Sequence, residues 1–123
     1  MHKFPDASDL QFLVGLEVGQ VCLDPWTVQL RFGDGGQITI EGEFQHTDLR
    51  GDVHIHQAGE ERDTGPFFLG ELVQDRISGL EATPLRLTLS FSNGGAVSIL
   101  TEEGPYECGQ IYAPGEPSRL IVF

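Results

Sequence analysis

The sequence has few basic residues, few cysteines and no long apolar run, and each shortage excludes a class of protein. Seven lysines and arginines stand against nineteen aspartates and glutamates, so the formal net charge is −12 at pH 7. This balance argues against nucleic acid or an anionic membrane as a partner, because both are negatively charged. No apolar run approaches the ~20 residues that a membrane-spanning helix needs.

Two cysteines, Cys22 and Cys108, are too few for a disulfide framework. The opening residues, MHKFPDASDL, lack the charged-then-apolar pattern of a signal peptide. These two absences predict a reduced, cytoplasmic protein, and whether Cys22 and Cys108 ever pair is left open. The length of 123 residues predicts a single domain, and the 16 glycines and 7 prolines favour short strands and tight turns.

One stretch of the sequence is repeated. Residues 25–40, PWTVQLRFGDGGQITI, align with residues 84–99, PLRLTLSFSNGGAVSI, at a constant offset of 59 positions from Pro25 to Pro84. Six of the sixteen aligned positions are identical. Apolar and polar residues alternate in both copies, as in a half-buried strand, and this alternation places the single tryptophan, Trp26, in the core. Each copy is therefore predicted to be a β-hairpin.

Glycines between the two strands of each copy predict the turn. A loop of three residues, Asp34-Gly35-Gly36 or Asn93-Gly94-Gly95, would pair Phe32 with Ile38 and Phe91 with Val97. In this register the last glycine of each loop adopts the left-handed conformation. Phe32 and Phe91 are then expected to be buried at matching places.

Extending the repeat outward divides the domain. Residues 10–44 and 66–102 form two pseudo-repeats, with Leu69-Gly70 aligned to Val14-Gly15. Residues 45–65 form a polar linker that carries a brief edge strand, and residues 106–123 form C-terminal strands. The predicted fold is mainly β: internally duplicated antiparallel meanders, with short helical turns, packed as a small sandwich or as a barrel-like sheet.

The layout resembles a family of small, uncharacterised bacterial all-β proteins that is classed as a domain of unknown function. The matching motifs are Leu69-Gly70, Phe32-Gly33-Asp34-Gly35, Phe91-Ser92-Asn93-Gly94 and Tyr106-Glu107. The resemblance implies no catalytic residue. Some such proteins are suspected of neutralising toxins, so it implies an immunity-protein-like role.

His54-Ile55-His56 is the segment with the most chemical potential. Residues i and i+2 of a strand share a face, and Glu60 follows three residues later, so His-x-His-x3-Glu is similar to the first metal motif of the cupins. The alternative function is accordingly a cupin-like divalent-metal protein or metalloenzyme using His54, His56 and Glu60. An exposed polar edge strand is the favoured interpretation of the same segment.

The favoured function is non-catalytic, with no cofactor and no catalytic residue: an acidic β protein that acts by protein–protein contact. Carboxylates are concentrated between Glu41 and Glu71, where Arg50 and Arg62 are the basic residues. A basic protein partner is the expected consequence, and a homodimer through an uncovered sheet edge is a second assembly. The predicted contact residues are Asp48, Asp52, Glu60 and Glu61.

Overall fold

Two antiparallel five-stranded sheets make up the fold in the computed structural model, which describes residues 3–58, 67–102 and 106–123. The ten strands are β1 (Val18–Leu23), β2 (Val28–Phe32), β3 (Gln37–Ile40), β4 (Glu43–Thr47), β5 (Val53–Gln57), β6 (Ile77–Thr83), β7 (Arg86–Phe91), β8 (Ala96–Leu100), β9 (Gly109–Ala113) and β10 (Arg119–Val122). Two short 3-10 helices, η1 (Ala7–Leu13) and η2 (Leu69–Leu72), precede β1 and β6.

The two halves of the chain exchange hairpins. Sheet I has the strand order β1-β2-β3-β9-β10, and sheet II has the order β5-β4-β8-β7-β6. The meander of each half therefore pairs with the last two strands of the other half. In the described part of the chain the sheets do not close into a barrel, so the fold is a sandwich.

Matching elements of the two halves keep the offset of 59 positions through the helical turns as well. Val18 and Ile77 both begin a strand, and both strands bulge directly after that residue. Leu10 and Leu13 of η1 correspond to Leu69 and Leu72 of η2, and all four are buried. The predicted alignment of Leu69-Gly70 with Val14-Gly15 is therefore wrong, because no residues are inserted between helix and strand.

The beginnings of β1 and β6 join the two sheets along one edge. Four backbone hydrogen bonds cross here: from Gly15 N to Ile77 O (2.8 Å), Ile77 N to Leu16 O (3.0 Å), Val18 N to Asp75 O (2.9 Å) and Gln74 N to Val18 O (2.7 Å). At the offset of 59 the first bond maps onto the fourth, and the second onto the third. We call this set of bonds the seam.

The core lies between the sheets, and the alternation of apolar residues builds it. Phe32 and Phe91, at matching places, are both buried, which confirms the prediction for this pair. Trp26 lies in the turn before β2 with 60% of its surface exposed, so its predicted place in the core is wrong. The alternation of apolar and polar residues continues past the end of the strand, so it does not show where the facing sheet ends.

The turns after β2 and β7 contain three residues, as predicted, but begin one residue earlier. Leu30 pairs with Ile38 and Leu89 with Val97, so each loop is 33–35 or 92–94 rather than 34–36 or 93–95. Gly35 and Gly94 hold the left-handed conformation, with φ of 91° and 95°. The Gly36 amide donates a hydrogen bond to the Asp34 side chain at 2.7 Å, and the Gly95 amide donates one to the Asn93 side chain at 2.9 Å. These bonds fix the earlier register.

Residues 45–65 are not a linker throughout. β4 lies inside sheet II between β5 and β8, and Phe44 and His46 are fully buried in it. β5 is an edge strand, as predicted. Residues 59–66 lie outside the described residues, and with them Glu60, Glu61 and the proline at position 66. Nowhere in the described ranges is there a helix with the length and apolar character to cross a bilayer.

The first prediction concerns the turn glycines. Gly35→Ala and Gly94→Ala should each destabilise the fold by about 1–2 kcal/mol, because a side chain opposes the left-handed conformation. Gly33→Ala is the control, since its added Cβ meets nothing within 4 Å. Chemical denaturation measures all three variants. Equal losses at Gly33 and Gly35 would contradict the assigned turn.

A second prediction concerns Gly109, which lies opposite Ile40 in sheet I. A Cβ at this position would collide with the Thr39 carbonyl oxygen and with the Phe123 ring. Gly109→Ala should therefore cost about 1–3 kcal/mol or more through overpacking. Gly79→Ala, in a strand with open space around the added Cβ, should cost less in the same denaturation experiment.

Candidate functional site

The hairpin of β4 and β5 carries most of the unusual chemistry in the molecule. Its turn is held by Asp48, whose Oδ1 accepts hydrogen bonds from the Arg50 and Asp52 amides at 2.8 and 3.0 Å. Gly51 completes the turn with a φ of 89°. An aspartate that bonds to amides two residues on favours a turn over a strand, which is why the chain reverses here.

The other carboxylate oxygen of Asp48 faces a histidine. His54 Nε2 lies 2.8 Å from Asp48 Oδ2, and the Asp48 side chain is 1% exposed. The hydrogen bond with His54 lowers the pKa of Asp48 to about 2, with help from the Asp52 and Arg50 amides and against the effect of burial. Asp48 is therefore a carboxylate at neutral pH, and it orients the His54 ring.

Three imidazoles line the inner face of this hairpin. The His54 ring centroid is 6.3 Å from the His46 centroid and 6.3 Å from that of His56. Aromatic side chains surround them: Phe68 is 5.1 Å from His54, and Phe67 is 4.8 Å from His56, centroid to centroid. We call His46, His54 and His56 the histidine layer.

His46 is the most deeply buried member of the layer. It is 1% exposed, and neither ring nitrogen has a hydrogen-bond partner among the described residues. Burial lowers the pKa of His46, while the Glu71 carboxylate acts in the opposite direction. Burial therefore favours the neutral form of His46.

Sheet I has apolar residues where sheet II has this layer. His46 lies opposite Val97 of β8, and Ile111 lies opposite Ile38 of β3. Because Ile38 and Val97 are 59 positions apart, Ile111 is the counterpart of His46. The hairpin pairings then make Ile121 the counterpart of His54 and Phe123 that of His56. The fold thus accepts apolar side chains at all three places.

The outer face of β5 is apolar. Val53 and Ile55 are 59% and 60% exposed, while the intervening histidines point inward. The predicted exposed polar edge strand is therefore correct in its position and wrong in its polarity. Alternation shows that two histidines share a face, but it does not show which face is inside.

Of the four predicted contact residues, the structure describes Asp48 and Asp52. Asp48 is buried and bonded inside the turn, so a partner cannot reach its carboxylate, and its prediction as a contact residue is wrong. Asp52 is exposed next to β5. Glu60 and Glu61 lie outside the described residues.

The metal alternative lacks a complete ligand set in residues 3–58, 67–102 and 106–123. His54 and His56 share a face, as predicted, but no three His, Cys, Asp or Glu side chains of these ranges are placed to hold a metal ion. Glu60, the carboxylate of that alternative, lies outside them. We therefore assign no metal ligand.

A cleft of about 260 Å³ opens where β3 leads into β4, lined by Gly42, Glu43, Gln57, Leu100, Thr101, Glu102 and Cys108. Cys22 and Cys108 are both free thiols. Among the described residues that line the cleft there is no histidine, lysine or arginine to stabilise a Cys108 thiolate. Next to the cleft, burial and the Glu107 carboxylate raise the pKa of Glu41.

Sequence reasoning missed His46 and the outward Val53 and Ile55. The signal lay in Thr47-Asp48-Leu49-Arg50-Gly51-Asp52, a turn sequence with aspartate and glycine that predicts a hairpin between residues 43 and 57. Comparison of the chain with family models, with curated proteins and with solved structures finds no match.

The third prediction tests the Asp48 carboxylate. Asp48→Asn preserves the turn acceptor but removes the charge beside His54. Because the pKa of Asp48 is lowered, its stabilising contribution is present above pH ~4 and is lost as the pH falls to about 2. The stability difference between wild type and variant should therefore shrink over that window.

Unfolding by urea at a series of pH values measures this difference. Asp52→Asn is the matched control, since Asp52 is exposed at the same turn and should leave the midpoint unchanged. A wild-type advantage as large at pH 2 as at pH 7 would contradict the assigned role of Asp48.

Proposed function

We propose that this chain is a non-catalytic protein-binding module whose contact surface is the outer edge of β5. The occupant we propose is an extended, basic segment of a partner protein that adds to sheet II as a further strand. The observation that carries the proposal is the outward exposure of Val53 and Ile55 on an edge strand. Large apolar side chains at such an edge are typical of interaction sites.

The backbone of β5 supports strand addition. Asp48 N donates to Asp52 O at 2.9 Å, and Ala58 N donates to Gly42 O at 3.0 Å, so the even-numbered residues bond toward β4. Bonded and non-bonded pairs alternate along an antiparallel ladder. The amide and carbonyl groups of residues 53, 55 and 57 therefore point away from β4, and no described strand pairs with them.

Charge supports a basic occupant. Asp52 precedes β5, and the exposed Glu43 lies opposite Gln57 at the other end of the strand. Arg50, in the turn before β5, holds its guanidinium carbon 5.7 Å from the centroid of the Phe68 ring. The whole chain carries −12, so its long-range field attracts basic proteins and repels acidic ones.

The chemistry of the hairpin supports a non-catalytic role. His54 and Asp48 resemble two members of a catalytic triad, but in the described ranges no hydroxyl or thiol hydrogen-bonds to His54. The ring also packs against Phe68. A toxin is the first partner to test, because the resemblance to small bacterial all-β proteins implies an immunity-protein-like role.

The fourth prediction concerns binding to a partner that has first been purified from the native host and identified. Val53→Lys and Ile55→Lys should each weaken binding by ~10-fold or more, since each puts a charge in an apolar contact and repels a basic partner. Leu120→Lys is the matched control: Leu120 is 61% exposed at the place in β10 that corresponds to Val53 in β5. Asp52→Lys should slow association, and the effect should fade with added salt.

Surface plasmon resonance at low and high salt provides the rates, and analytical ultracentrifugation provides the oligomeric state. Equal binding by the Ile55→Lys and Leu120→Lys variants would overturn the proposed surface. A wild-type dimer that dissociates only on Ile55→Lys would make a second copy of the chain the occupant, and the basic partner would then be wrong.

A further inference from the structure

The histidine layer is not needed to build the hairpin. Its counterparts in sheet I are Ile111, Ile121 and Phe123, which fill the same places with apolar side chains. Imidazoles in such places carry a cost that isoleucine does not, because a buried polar group without a partner is destabilising. His46, fully buried with both nitrogens unpartnered among the described residues, is such a group.

The groups around His46 provide little negative charge to neutralise a proton on its ring. From β5 it faces His54 and His56, from the turn Asp48, and from η2 Glu71. Arg50 lies at the turn as well, with its Nη2 3.9 Å from Asp48 Oδ2. Val97, its partner in β8, contributes no charge. Asp48 is already bonded to His54 and Arg50 adds a positive charge, so the Asp48 and Glu71 carboxylates cannot neutralise three imidazolium groups.

We propose that the histidine layer is an acid-sensitive element that holds the β4–β5 hairpin on the core at neutral pH and loosens it as the pH falls from about 7 to about 5. Protonation of His46 places a charge in the interior at a ring-centroid distance of 6.3 Å from His54. The hairpin relieves this repulsion by moving away from Phe67 and Phe68.

The burial of His46 determines the direction of the pH effect on the hairpin. Because the folded hairpin disfavours the proton on His46, the open hairpin binds more protons below the ordinary histidine pKa of ~6.5. Closure is therefore favoured at high pH and weakens as protons are added. Sheet I has no histidine at the corresponding places, so its β9–β10 hairpin should not respond. An effect on partner binding rests on the proposed function, whereas the loosening itself does not.

Hydrogen–deuterium exchange of EDTA-treated protein at pH 7.5 and 5.0 tests the proposal, with protection factors corrected for intrinsic exchange. In wild type, the protection of β4–β5 amides should fall by ~10-fold or more relative to β9–β10 amides, because a charge buried without a counter-charge destabilises the closed hairpin. The decisive variant carries the residues of sheet I, His46→Ile, His54→Ile and His56→Phe. It should keep its β4–β5 protection at pH 5.0.

If the triple variant does not fold, His46→Ile alone serves, because it removes the imidazole that has no hydrogen-bond partner among the described residues; it should lose most of the acid response. Equal protection of the two hairpins at pH 5.0 in wild type would overturn the proposal. So would an unchanged acid response in the substituted variant, which would assign the effect to carboxylates. Neither result depends on finding a partner, so the proposed function can fail independently.

Discussion

The seam of four backbone hydrogen bonds between the beginnings of β1 and β6 is the constraint on which the rest of the structure depends. It fixes the two meanders face to face with Val18 and Ile77 beside each other. A three-stranded meander cannot bury its apolar face alone, and the seam supplies each with a partner. The opposite ends of the sheets are then closed by the exchanged hairpins, β4–β5 on β8 and β9–β10 on β3.

The exchange lets the two hairpins differ in chemistry on a common backbone. β9–β10 completes the core with Ile111 and Phe123, while β4–β5 presents imidazoles to it and apolar side chains to solvent. Gly109 and Phe123 in β9–β10 occupy the positions that Phe44 and His56 occupy in β4–β5. A structural role explains the first hairpin fully. It does not explain the second, and for this reason we assign both the contact surface and the acid response to β4–β5.

Local patterns in the sequence predict the repeat, the mainly β fold and the buried Phe32, because alternation and turn glycines act over short distances. The register of the turn after β2 depends on a local bond that alternation does not reveal, from the Gly36 amide to the Asp34 side chain. Two other features needed long-range information. The hairpin exchange depends on contacts between halves. The inward direction of His54 depends on which side of β5 meets Phe68, and alternation is silent on that choice.

Glu17 and Arg76 occupy the same position of the two halves, and they face each other at the seam with Arg76 Nη2 3.5 Å from Glu17 Oε1. Both side chains are largely exposed, so the ion pair contributes less than ~1 kcal/mol to stability. Its larger effect is on pairing. If two copies of one half met through this seam, two glutamates or two arginines would stand opposed. The charges therefore favour association of unlike halves over association of like ones.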